Sequence, residues 1–421
     1  MSSNLSRAIN LLQTRIKVEG VSNTSVANHV NLANSGRADA KNCTAVPALD
    51  SPMKVTVASA LLELARASRN PKDRSVSAIH QWWAFVRYLA FFDQSAGFLT
   101  VGAEGRAFIN NQRRVASEEL GVAFSLLVGR RWMASLHGSY VPSSVTDIEL
   151  ALAGHSQQVA QLPGRTKRPD WLLTVGAPAN PMLFANYLLE SKGTAADNHA
   201  NIQLAAAARQ LQSVSVGGVV PQGLAVSTVT GKGKVRYVAV DPGQEPEFFE
   251  IDPEAIVALV LGEQKTPKSG KVDLDLEYLT SASVYWSLVS IADFARNTEA
   301  LQRLKMNPRP IEDLLGTAVR EYWTDFGPVD GIERTWRLPD GRVSIVVGVE
   351  SEMNQRLERG DIAGAIERRA EWAASNSPGN NSDVFLDNGQ DGHTRSVEGG
   401  TRTSATTTSS DGAILSISLV D

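Results

Sequence analysis

Arg168-Pro169-Asp170-Trp171-Leu172-Leu173 and Leu188-Leu189-Glu190-Ser191-Lys192 are two short apolar runs, each carrying charge at one end. The spacing predicts a strand over Trp171–Val175 entered through Asp170, and a strand over Phe184–Ser191 that ends on Glu-x-Lys. Side chains alternate along a strand, so Glu190 and Lys192 project together while Ser191 turns into the layer behind. With the two strands as neighbours, Asp170 comes within metal-bridging reach of Glu190.

Outward from these runs the pattern alternates. Arg113–Met133 reads as a helix and Asn198–Val214 as an Ala/Gln-rich helix. Val216–Val229 and Lys234–Val240 are rich in β-branched residues, and Gly231-Lys232-Gly233 between them has the composition of a turn. Helix, strands, helix, strands in this order describe an α/β sandwich around one mixed sheet.

The residue types at the strand ends point to chemistry. Asp170 and Glu190 with the Ser191 carbonyl make a hard-oxygen set suited to Mg²⁺ or Mn²⁺, ions that keep waters and meet substrate phosphate. Lys192 beside a metal-bound water can orient it, and can neutralise charge developing on a phosphate.

With Pro169-Asp170, nineteen intervening residues and Glu190-Ser191-Lys192, the chain resembles the PD-(D/E)XK nuclease superfamily, which includes many restriction endonucleases and recombination nucleases. The resemblance spans roughly Arg113 to Val240. It implies a restriction-endonuclease-like core, with Asp170 and Glu190 holding the metal and Lys192 assisting the nucleophilic water. It also implies an accessory acid on the preceding helix, where Ser117-Glu118-Glu119-Leu120-Gly121 offers Glu119, preferred here, or Glu118. A Gln on the following helix matches as Gln203 or Gln210, which lie seven apart on one helical face.

Other chemistries lack their signatures. The six histidines show no HExxH or paired ligand spacing, and only His199, at a helix start after Lys192, is placed to approach the site. No GxxxxGK[ST] phosphate loop, GxGxxG after a strand, or GxSxG elbow occurs. A single cysteine, Cys43, excludes an internal disulfide and a Cys-rich zinc site, and fits a reducing compartment.

The flanks read differently from the core. Residues 1–110 are expected to be a mainly helical N-terminal region, with an aromatic helix over Ser75–Phe92 whose Trp82, Trp83, Phe85, Tyr88, Phe91 and Phe92 serve packing. The nuclease core is assigned to 111–245. Residues 246–374 form an α+β module with helices over Tyr278–Lys305, Pro310–Phe326 and Ser351–Ala374 and a hairpin around Pro339-Asp340-Gly341-Arg342. Residues 375–421, dominated by Ser, Thr, Gly, Asn and Asp, are expected to be a disordered tail, with Ile414–Val420 able to dock as a strand.

A formal charge of −4 means that contact with nucleic acid must be local. Three basic groups are available: Arg113, Arg114, Arg130 and Arg131; Arg165, Lys167 and Arg168; Lys232, Lys234 and Arg236. Absence of a long apolar run predicts a cytoplasmic protein with no membrane partner. The reading is a Mg²⁺-dependent nuclease acting on DNA, by resemblance a restriction or phage-defence endonuclease, with a homodimer or a defence-system protein as partner. The rival is a binding or assembly protein that keeps the nuclease fold without turnover.

Overall fold

The computed structural model describes residues 4–36, 42–69, 82–138, 143–151, 160–161, 168–177, 179–212, 214–215, 221–243, 248–261, 276–306, 319–338, 341–376, 395–397 and 400–420. Two large sheets organise most of them, beside a two-stranded pair of Ala160–Gln161 with Val214–Ser215. The larger is mixed, and its strands run in the order Phe92–Ser95, Phe98–Val101, Ile16–Val21, Arg236–Val240, Gly223–Val229, Asn180–Thr194, Trp171–Ala177, Ser143–Asp147. Two short strands extend it: Met53–Val55 pairs with Ile16–Val21, and Phe248–Glu250 with Asn180–Thr194.

Helices cover both faces. Asn110–His137 buries Ala116, Leu120, Ala123, Phe124, Leu127 and Val128, the three- and four-residue spacing of a core-facing stripe. It packs on the sheet through Trp132, whose ring meets Tyr187 edge-on at 5.3 Å. Ala200–Leu211 and Leu276–Phe294 cover the opposite face. The second of these is apolar nearly all round, as a helix enclosed by protein must be. Two of its hydroxyls are matched to the sheet: Ser283 bonds Thr174 and Thr146, and Thr280 accepts from Asn186. Buried polar groups without such partners would cost more than the packing returns.

The smaller sheet is antiparallel, in the order Arg320–Thr324, Gly327–Leu338, Gly341–Glu350, Ala413–Val420, Gly400–Thr408, Arg395–Val397. The turn between its two long C-terminal strands enters the rest of the protein. There Asp411 is fully buried against both guanidinium nitrogens of Arg66, and Ser410 reaches Arg130 and Ser143.

Several expectations change. The N-terminal region is not a separate helical unit, because Ile16–Val21 lies parallel to Arg236–Val240 with Glu19 opposite Arg236; the boundary at 110 falls inside one continuous sheet. Of the aromatic helix, residues 82–88 are helical, and Phe92 already begins a strand. The packing role holds for Trp82, Phe85, Tyr88, Phe91 and Phe92, which are buried, but not for the half-exposed Trp83.

The expected helix over Pro310–Phe326 is contradicted at its C-terminal end, where Arg320–Thr324 is an edge strand; residues 307–318 lie outside the described residues. Tyr278–Lys305 breaks at Arg296, whose φ is +59°, before Asn297 caps Thr298–Arg303. Ser351–Ala374 breaks at Gly360, with φ +74°, into Ser351–Glu358 and Ile362–Asn376. In the tail, Ile414–Val420 docks as a strand as expected, and Gly400–Thr408 is corrected from disorder to a strand paired with it, where a partner supplies the apolar contact its own composition lacks; residues 377–394 lie outside the described residues. No described helix is long and apolar enough to cross a membrane.

Candidate active site

Trp171–Ala177 and Asn180–Thr194 are antiparallel neighbours with Trp171 opposite Leu189. That register sets Asp170 beside Glu190, as the alternation argument requires. The Asp170 N–H donates to Glu190 Oε2 at 3.0 Å, and Asp170 Oδ2 accepts from the Ser191 N–H at 3.2 Å and the Ser191 hydroxyl at 2.9 Å. Lys192 Nζ donates to Glu190 Oε1. The three predicted residues therefore meet, but Ser191, expected to turn into the layer behind, instead lines the cleft and braces Asp170 with its hydroxyl.

Their environments differ sharply. Glu190 is completely buried, whereas a quarter of the Lys192 side chain is exposed. Burial pushes the Glu190 carboxyl up to about 8, and the neighbouring Asp170 charge adds to this against the opposing pull of Lys192 and the Asp170 N–H. One ammonium does not offset burial and a neighbouring carboxylate together.

The site opens into a cleft of about 540 Å³ whose walls include Glu118, Asp147, Glu149, Arg168, Asp170, Lys192 and Gln203. A glycine pair brings the long helix to its edge. A Cβ on Gly193 would lie 1.8 Å from the Ser117 carbonyl oxygen, and one on Gly121 would lie 2.6 Å from Gly193 Cα. Only hydrogen at both positions lets helix and strand backbones touch, and the contact delivers Glu118 beside Lys192.

Here the preference for Glu119 is reversed. Glu119 accepts from Tyr88 Oη and from Arg87 Nη1, the latter at 3.3 Å, and so faces helix 82–88 on the far side. Tyr88 is buried, and burial with the Glu119 bond raises its phenol. Pinning Glu119 there turns its neighbour Glu118 toward the cleft.

Gln203 lines the cleft, while Gln210 instead donates to the Arg168 carbonyl oxygen at 3.0 Å. His199 is exposed at a helix start and is not part of the cleft wall. Asp147 and Glu149 were missed in the sequence because the strand Ser143–Asp147 carries too little apolar character to be read; Asp147 pairs in register with Trp171. Burial raises the Asp147 carboxyl, with Asp170 among the further causes.

The basic residues divide. Arg168 lines the cleft; Arg165 and Lys167 lie outside the described residues. Arg113 is committed to the Arg106 and Phe108 carbonyls, Arg130 is buried with Glu63 and Ser143, and Arg131 bonds Ser51 and Tyr237, so these three are structural. Arg114 and Lys232 are exposed. Lys234 sits 3.8 Å over the Phe98 ring and 3.7 Å from Glu19, and Arg236 pairs with Asp197.

Among the described residues, no three His, Cys, Asp or Glu side chains converge to hold a metal ion unaided. Comparison with protein-family models, with curated proteins and with solved structures gave no match in any of the three.

Proposed function

We propose that the cleft is the active site of a divalent-metal-dependent nuclease of the PD-(D/E)XK type. The observation that carries this reading is the meeting of Asp170, Glu190 and Lys192 on two paired strands, with Glu190 buried behind a cleft that Asp170 and Lys192 line together with Glu118 and Gln203. The order of elements supports a restriction-endonuclease-like core. An acidic helix comes first, then strands bearing the two halves of the motif, a Gln-bearing helix, and Gly223–Val229 laid parallel to the Glu190 strand.

The donor chemistry fits Mg²⁺ or Mn²⁺. Two carboxylates and a backbone carbonyl, at Asp170, Glu190 and Ser191, are hard oxygen donors that leave positions for the waters that Mg²⁺ retains. Such an ion, when bound, supplies Lewis acidity toward a phosphate oxygen and an acidified water.

The chain's own groups do the rest. Lys192 orients the attacking water, whose oxygen bonds phosphorus as one P–O ester bond breaks, and its charge offsets that growing on the phosphate. Glu118 and Gln203 position water and substrate from either side. The substrate class is DNA, and paired cuts in a duplex would call for a two-fold homodimer.

A second reading, a nuclease fold kept for binding alone, is favoured by one observation: both Glu190 oxygens are engaged internally, by Lys192 and the Asp170 N–H. Incubation with supercoiled plasmid and Mg²⁺ separates the two. Chelator-sensitive nicking that disappears in Asp170→Ala supports the nuclease, and DNA binding without any cleavage supports the rival.

A further inference from the structure

We infer that Glu149 holds Arg168 as a stand-in for substrate phosphate and gives it up when nucleic acid enters, an exchange that rests on the nuclease reading above. One guanidinium nitrogen of Arg168, Nη1, lies 3.0 and 2.9 Å from the two Glu149 carboxylate oxygens. Both residues line the cleft with Asp170 and Lys192. Their exposures are unequal. The Arg168 side chain is 16% exposed and that of Glu149 is 61%. The cation is thus seated in the cleft wall two residues from Asp170, and Glu149 is the solvated half of the pair.

The backbone on either side is fixed by bonds that do not involve the ion pair. Gln210 Nε2 donates to the Arg168 carbonyl at 3.0 Å, the Ile148 N–H donates to the Asp170 carbonyl at 3.2 Å, and the Glu149 N–H donates to Asp147 Oδ1 at 2.7 Å. Glu149 can therefore leave by side-chain rotation while the backbone on both sides stays in place. A guanidinium donates to a phosphodiester oxygen pair as readily as to a carboxylate, so the exchange replaces one charge-assisted contact with another of the same kind. Glu149 then acts as a positioning residue. Without it the partly buried cation would lack this oriented anion, and with it a phosphate must displace a carboxylate already in place.

The test is binding of a fluorescein-labelled DNA duplex to the full chain, with Ca²⁺ replacing Mg²⁺, across a salt series. Glu149→Gln is expected to tighten binding about two- to fivefold, the weight of a largely exposed pair. Arg168→Gln is expected to weaken binding and flatten the salt dependence by about one unit of log–log slope. In the Arg168→Gln background, Glu149→Gln should add nothing. Equal tightening with and without Arg168 would reduce Glu149 to a bare negative charge, and weaker binding in Glu149→Gln would make it a brace; either overturns the exchange while leaving the nuclease reading intact. Failure of the wild-type chain to bind the duplex at any salt concentration overturns both.

Discussion

Gly193→Ala tests the contact on which the site's geometry depends. The new Cβ would meet the Ser117 carbonyl oxygen at 1.8 Å, the Ser117 carbonyl carbon at 2.6 Å and Glu118 Cα at 3.0 Å. All three are backbone atoms, so no rotamer change relieves the clash. Restoring van der Waals separation requires the helix to retreat by roughly 1.5 Å. Overpacking of this kind costs about 1–3 kcal/mol of stability, and a displacement near 1 Å at a reacting centre costs about a hundredfold in rate. Glu118 moves with the helix. Thermal unfolding and single-turnover, Mg²⁺-dependent cleavage measured on the same preparation should both fall. Gly129→Ala is the control, on the same helix over the same sheet: its Cβ would meet the flexible end of Leu173 at 2.9 Å, and both measurements should stay near wild type. Wild-type melting and wild-type turnover in Gly193→Ala would refute the close approach.

Lys192→Ala should retain Mg²⁺ and DNA binding, since both carboxylates remain, while turnover falls by about two orders of magnitude; equal loss of metal binding and turnover would show that Lys192 props up local structure. Glu190→Gln should change the pH dependence of stability in metal-free protein. Because the folded carboxyl is raised to about 8, the native state binds the extra proton between the ordinary carboxylate range and pH 8, and wild type loses stability as pH rises through that window at up to about 1.4 kcal/mol per unit. Denaturant melts should show Glu190→Gln free of that slope, and identical slopes would remove the burial argument. Glu118→Gln should lower cleavage without altering the melting temperature, whereas Glu119→Gln should loosen the Tyr88 and Arg87 contacts and lower the melting temperature; the reverse assignment would mean that the helix is rotated.

What could be read from the sequence was local. The alternation in Leu188–Lys192 gave the shared face of Glu190 and Lys192, and Pro169-Asp170 gave a strand entrance, because both depend on neighbours along the chain. The choice between Glu118 and Glu119 could not be made that way, since it is decided by Tyr88 and Arg87 from a helix about thirty residues upstream. Gly121 and Gly193 were visible as glycines, but their meaning depends on facing each other across two layers. Composition misled at the C-terminus. Thr403–Thr408 has little apolar content, yet it pairs with Ile414–Leu419, where the apolar residues are. Asp147 escaped for a similar reason: Ser143–Asp147 is an edge strand whose neighbours, not its own residues, make it one.

The parallel pairing of Ile16–Val21 with Arg236–Val240 has a consequence for synthesis. Glu19 meets Arg236 only after more than two hundred further residues have left the ribosome, which at about 5–20 residues per second is roughly ten to forty seconds. Throughout that interval Glu19, Gly20 and Val21 lack their parallel partners Arg236, Tyr237 and Val238, although Met53–Val55 and Phe98 can already pair with Ile16–Val18. The nascent chain must hold a β-prone segment out of contact with other chains for that time, so recovery during expression should depend on translation speed and on holdase chaperones, and refolding in vitro should be slow and limited by this closure.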